Sequence, residues 1–187
     1  MNRDHQRRIE GLVALVLFGL TIPAANWLIG NAGTVCVPNG PCIVPVWPGV
    51  MAPSGVLMVG LALVLRDIVQ RRLGTLAGLG AIGVGTLISA TLAPAAIVTA
   101  SAAAFLLSEL ADFAIYTPLQ RKRFLTAVFA SGVVGLVVDS LVFLQLAFGN
   151  LDFLAGQIIG KAWMVLFALP LMLLLRRRDE RLGLVAA

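Results

Sequence analysis

The sequence predicts an all-α polytopic membrane protein with six transmembrane helices and both termini cytoplasmic. Three observations carry this expectation. The 187 residues are 59% hydrophobic and 12% charged with a mean hydropathy of +0.97, far more apolar than a water-soluble domain of this size. Several apolar runs approach the roughly 20 residues that cross a hydrocarbon layer about 30 Å thick. Finally, thirteen of the fourteen Lys and Arg fall in four groups, each separated from the next by two apolar runs.

The four groups are Arg3, Arg7 and Arg8; Arg66, Arg71 and Arg72; Arg121, Lys122 and Arg123; and Arg176, Arg177, Arg178 and Arg181. Cytoplasmic loops hold such an excess, so every basic group lies inside and the number of spans is even. The net charge of +5 is thereby accounted for by topology, and no nucleic-acid partner is expected. No segment is long enough for a soluble catalytic or nucleotide-binding module.

The first span is expected over about 11–29. Its start, with three arginines before Leu12–Ile22 and Ala24-Ala25 after it, also resembles a signal peptide, but the charge pattern closes only if this helix is kept. The second span is expected over about 53–69, with Pro53 suited to a helix start. The others follow over about 74–93 (ending at Pro94), 95–119, 124–148 and 151–175, and all six make one transmembrane domain over 1–187.

Between the first two spans lies the external, uncharged connection Gly30–Ala52, rich in Gly and Pro. It holds Cys36 and Cys42, with Asn39-Gly40 between them favouring a tight turn. An exoplasmic position permits a disulfide, and two unpaired thiols remain the alternative. No metal site is expected, since the lone histidine, His5, lies across the membrane. In the third span Gly74, Gly78, Gly80, Gly83 and Gly85 include a G-x-G-x-x-G match. Without a β-α-β unit around it, that match reads as a small-residue face for close helix packing.

The candidate site consists of charges at membrane depth. Glu109 and Asp112 are three residues apart and share one helix face. A charged residue at the bilayer centre costs about 2.5–3.5 kcal/mol on insertion scales, so such groups mark functional sites by default. Two ionised carboxylates on one turn repel, which makes Glu109 and Asp112 candidates for proton coupling. Asp139 and Lys161 fall near the midplane of the fifth and sixth spans and form a natural ion pair. Asp67 is accounted for by a salt bridge to Arg66, Arg71 or Arg72 at the cytoplasmic interface. Asn26, Ser108, Tyr116, Gln145 and Gln157 add uncharged polar groups, and Phe113 and Trp163 are candidate stacking walls. Together they suit a planar heterocycle with hydrogen-bonding edges.

Leu65-Arg66-Asp67-Ile68-Val69-Gln70 followed by Gly74, the Glu109-x-x-Asp112 turn before Tyr116, the Ser131–Asp139 pattern and Lys161 resemble the queuosine-precursor transporter family, also called the vitamin uptake transporter family. The resemblance runs from about Pro53 into the sixth span. It implies a fold like the six-helix substrate-binding subunits of energy-coupling-factor importers, working without the ATPase. It also implies import of 7-deazaguanine precursors such as 7-cyano-7-deazaguanine.

The expected protein is therefore a non-enzymatic, multi-pass carrier of the inner (cytoplasmic) membrane, probing a deazapurine-like small molecule with Glu109, Asp112, Asp139, Lys161, Phe113, Trp163, Asn26 and Gln157. Its partners are that substrate and the lipid bilayer, with self-association left open, and no cofactor is expected. Two rival expectations are a substrate-binding subunit of an ATP-driven vitamin importer and a non-transporting membrane scaffold.

Overall fold

A computed structural model describes residues 3–38, 40–93 and 97–182. Six helices carry the fold: α1 (Arg3–Asn31), α2 (Val56–Leu73), α3 (Thr75–Leu92), α4 (Val98–Leu119), α5 (Phe124–Phe148) and α6 (Leu154–Leu182). Five of them, all except α2, are long and apolar enough to cross a membrane.

The exception has a structural reason. α2 touches each of the other five helices, and every residue from Ala62 to Arg72 is buried. A helix enclosed on all sides by protein need not be apolar for the sake of lipid. It can therefore carry Arg66, Asp67, Arg71 and Arg72 within 18 residues, provided the neighbouring helices supply partners.

The surrounding helices have the complementary pattern, with polar residues inward and apolar ones outward. On α4 the buried positions are Ala100, Ser101, Ala104, Phe105, Ser108, Glu109, Asp112 and Tyr116, a stripe of period 3.6. On α5, Ser131, Gly135 and Asp139 lie at successive four-residue steps on the buried face. Outward positions such as Leu87, Phe129, Leu146 and Leu174 are exposed hydrophobics.

Small residues set the helix spacing. A methyl group added at Gly60 of α2 would lie 2.9 Å from the Lys161 backbone on α6, so this crossing requires glycine. The glycine stripe of α3 divides: Gly78 meets Gln70 and Gly85 meets Phe105 and Ile22, whereas Gly80 and Gly83 face open space. Only part of that stripe is a packing face. Gly74, at φ 94°, is the single residue joining α2 to α3, a backbone conformation that glycine adopts without strain.

The connection after α1 adds short strands to the expected all-α architecture. It forms a three-stranded antiparallel sheet, β1 (Val35–Cys36), β2 (Cys42–Trp47) and β3 (Val50–Pro53), in the order β1-β2-β3. Cys36 pairs with Cys42 in the strand register, and the two are joined by a disulfide. The expected Asn39-Gly40 turn involves Asn39, which lies outside the described residues, as do the expected boundaries at Pro94 and Ala95. Pro53 ends β3 instead of opening the second helix, which starts three residues later behind Gly55. The sheet is fastened to the helices: the Ser54 hydroxyl donates to the Leu28 carbonyl at 2.7 Å, and the Trp163 indole N–H donates to the Val46 carbonyl at 3.0 Å.

Candidate functional site

The candidate site is built from two buried ionic clusters and one cavity. The first cluster centres on Arg66, which is wholly buried. Its Nε donates to Glu109 Oε2 at 3.0 Å, its Nη2 donates to Asp112 Oδ1, and its Nη1 donates to Gln70 Oε1 at 3.0 Å. The same Nη1 lies 3.0 Å from Asp67 Oδ1. The Phe113 and Tyr116 rings flank the guanidinium at 5.8 and 5.7 Å, within cation–π range.

By sequence position Arg66 counts as a flanking charge at a membrane interface. The structure corrects this, because α2 continues to Leu73 and Arg66 sits two turns from its end, facing α4. Asp67 does pair with Arg66, though inside the bundle and not at an interface: it is 1% exposed.

The second cluster is the predicted pair. Lys161 Nζ donates to Asp139 Oδ2 at 2.6 Å, to Ser140 Oγ at 2.8 Å and to Gln157 Oε1. Gln157 precedes Lys161 by one helical turn and Ser140 follows Asp139 directly, so three polar groups from two helices surround the ammonium. Such partners are what makes a buried lysine tolerable.

The cavity lies at the end of the bundle that carries the sheet and holds about 680 Å³ of atom-free space, including the part open to the outside. Its walls come from the second half of α1, the segment from Pro53 to Leu63, and the first half of α4, with Asp139, Phe143 and Gln157 completing them. Polar groups in the lining are Thr21, Asn26, Ser89, Ser101, Ser108, Glu109, Asp139 and Gln157. Phe105 and Phe143 are its aromatic residues. The mix of apolar walls and a few convergent polar groups is that of a small-molecule site.

Of the candidate residues, Glu109, Asp139, Asn26 and Gln157 are therefore brought together around one space. Asp112 and Lys161 lie behind it as partners of Arg66 and Asp139, outside the lining. Phe113 stands beside Arg66. Trp163 is on the periphery, its ring stacked on Trp47 at 6.0 Å and on Phe167 at 5.8 Å; Trp47 and Phe167 are both exposed. Trp163 therefore lies outside the lining of this cavity. Gln145 is exposed on the outside of α5. Phe105 and Phe143, which sequence reasoning passed over, are the aromatic residues that line this cavity. Each lies four residues before a polar site residue on α4 or after one on α5, and that shared helical face was the available signal.

Among the described residues there is no cluster able to hold a metal ion. Residues 86–175 match the family described as "putative vitamin uptake transporter". This region of the chain is similar to the vitamin uptake transporter family. The coarse activity that accompanies the family is uptake of a small molecule across a membrane, in a multi-pass protein. No curated protein and no solved structure matches the chain. The family region runs from the end of α3 to α6 and so includes Glu109, Asp112, Asp139, Gln157 and Lys161. Arg66 and Asn26, which complete the clusters and the cavity, come from the part before it.

Proposed function

We propose that the protein imports a small nitrogen heterocycle, specifically a queuosine precursor such as 7-cyano-7-deazaguanine, and that uptake is coupled to protons. The observation that carries this reading is the cavity in which Glu109 and Asp139 stand beside Asn26 and Gln157, between Phe105 and Phe143. Carboxylates accept the paired N–H donors of a guanine-like edge, carboxamides can donate or accept, and aromatic rings offer flat apolar contact.

Proton coupling is supported by the charge count. Three carboxylates, those of Asp67, Glu109 and Asp112, surround the one guanidinium of Arg66, while Lys161 and Asp139 balance each other. Uncompensated buried charge costs several kcal/mol per ion, so the Arg66 cluster takes up protons or a donor-rich ligand. With the basic ends cytoplasmic, the cavity faces outward, the side from which an importer loads.

The experiment is uptake of labelled 7-cyano-7-deazaguanine by proteoliposomes containing the purified protein alone, with and without an imposed proton gradient. Uptake that follows the gradient and is lost in Asp139→Asn supports the reading. Uptake only after an ATPase complex is added would make the chain a substrate-binding subunit. Neither uptake nor ligand-induced stabilisation would leave the scaffold reading.

A further inference from the structure

At the basic end, opposite the cavity, α1, α2 and α6 meet around a third set of charges. Arg71 Nη2 and Arg72 Nη1 donate to Asp179 Oδ2 at 2.7 and 2.9 Å. Glu10 Oε2 lies 3.0 Å from Arg72 Nε and accepts from Arg178 Nη2 at 2.6 Å. Arg7 is one turn before Glu10 on α1, and Gly11 brings that helix close: a methyl group there would lie 2.9 Å from Arg72 Cβ. Arg71, Arg72 and Arg178 thus share the carboxylates of Glu10 and Asp179, an excess of positive charge to which Arg7, one turn from Glu10, adds a further cation. Arg71, Arg72 and Asp179 are each at most 5% exposed.

The donors are also incompletely used. Arg7 Nε, Arg72 Nη2 and Arg178 Nε are buried with no hydrogen-bond acceptor among the described residues, and Arg72 Nε has only its ionic contact to Glu10. Three guanidinium groups, one from each of three helices, thus each keep a buried N–H without an acceptor. An unpaired buried donor costs about 1–3 kcal/mol, more when charged.

We propose that this end of the bundle is a binding site for a phosphate-type oxyanion, held between α1, α2 and α6 by Arg7, Arg72 and Arg178. A tetrahedral phosphate supplies several acceptor oxygens and the missing negative charge, and guanidinium groups match it through paired hydrogen bonds. The source is either an anionic phospholipid headgroup, which basic pockets between helices recognise at a membrane surface, or free phosphate. The site stands independently of what the cavity carries.

The test is the thermal stability of the full-length protein in two arms. In neutral detergent, inorganic phosphate is titrated against chloride at matched ionic strength; in vesicles, pure phosphatidylcholine is compared with added phosphatidylglycerol. Saturable stabilisation, about 5–10 °C at a hundred-fold excess over Kd, is expected in at least one arm, and the responding arm identifies the source. It is expected to disappear in Arg72→Gln. Because that change also breaks bonds to Asp179, Arg7→Gln serves as the second variant, which leaves both carboxylate partners of Arg72 in place and weakens the response. Arg121→Gln and Lys122→Gln, exposed at the same end, leave it unchanged. No shift in either arm, or an equal loss in the exposed variants, overturns the proposal.

Discussion

Arg66 of α2 holds Glu109 of α4 at 3.0 Å, Nε to Oε2, while Glu109 also forms part of the cavity wall. One carboxylate therefore belongs both to the buried ionic cluster and to the space a ligand would enter. If the cavity holds the proposed ligand, a donor directed at Glu109 would compete with Arg66, whose freed N–H could turn to Asp112 or Asp67, and binding would then be linked to the charge state of groups outside the cavity.

Arg66→Gln is expected to destabilise the protein by about 3–5 kcal/mol, because it strands three buried carboxylates. Adding Asp112→Asn removes one of the stranded charges, so the double variant should lose less than the sum of the two single changes. Unfolding in detergent measures both quantities. Strict additivity would mean that the two residues are not energetically coupled.

The Lys161–Asp139 pair makes a similar prediction with a different readout. Lys161→Met leaves Asp139 without its cation in the cavity wall and is expected to cost about 3–5 kcal/mol, and Asp139→Asn in the same background to recover part of it. Ligand-induced stabilisation should be absent from the double variant even where its fold is restored. A double variant that still responds to 7-cyano-7-deazaguanine would remove Asp139 from the site.

At Gly60 the direction is set by packing alone. Gly60→Val places side-chain atoms where the Lys161 backbone now lies, forcing α2 and α6 apart at an expected cost of about 1–3 kcal/mol. Since the displaced segment carries Lys161 and Gln157, ligand affinity should fall in parallel. Melting temperature and ligand shift, measured on the same preparation, test both.

Reducing the Cys36–Cys42 bond opens a loop with a sequence separation of six. The chain-entropy relation puts the stabilisation from such a short loop at about 2 kcal/mol. Because β3 leads directly into Pro53 and Gly55 of the cavity wall, Cys36→Ser with Cys42→Ser should weaken ligand binding more than it disturbs the helical bundle. Circular dichroism with a ligand titration separates the two effects.

Much of the site could be read along single helices, and what could not involves contact between them. Glu109 and Asp112 three residues apart, Asp139 in an apolar helix and Lys161 with Gln157 one turn before it are local patterns, and each is inward-facing as its spacing predicts. Arg66 was misplaced because an arginine two turns inside a helix end and one at the end itself look alike beside Arg71 and Arg72. Trp163 and Phe105 are both aromatic and near a charge in the sequence; only the packing shows that the first faces the sheet and the second the cavity. The short strands are hard to read because Pro45, unable to donate to a ladder, interrupts the β-branched run Ile43-Val44-Pro45-Val46.

By itself the sequence determined the membrane-embedded helical class, five of the six helices as apolar segments, and the identity of the charges that lie at membrane depth. Those follow from composition and helical period, which act locally and need no knowledge of neighbours. Tertiary structure alone decided that α2 is the enclosed central helix, that Arg66 gathers three carboxylates, and that Glu109 and Asp139 face one cavity while Asp112 and Lys161 stand behind it. The physical reason is that a buried charge is tolerated only where other elements bring its partners, and that depends on how the helices pack.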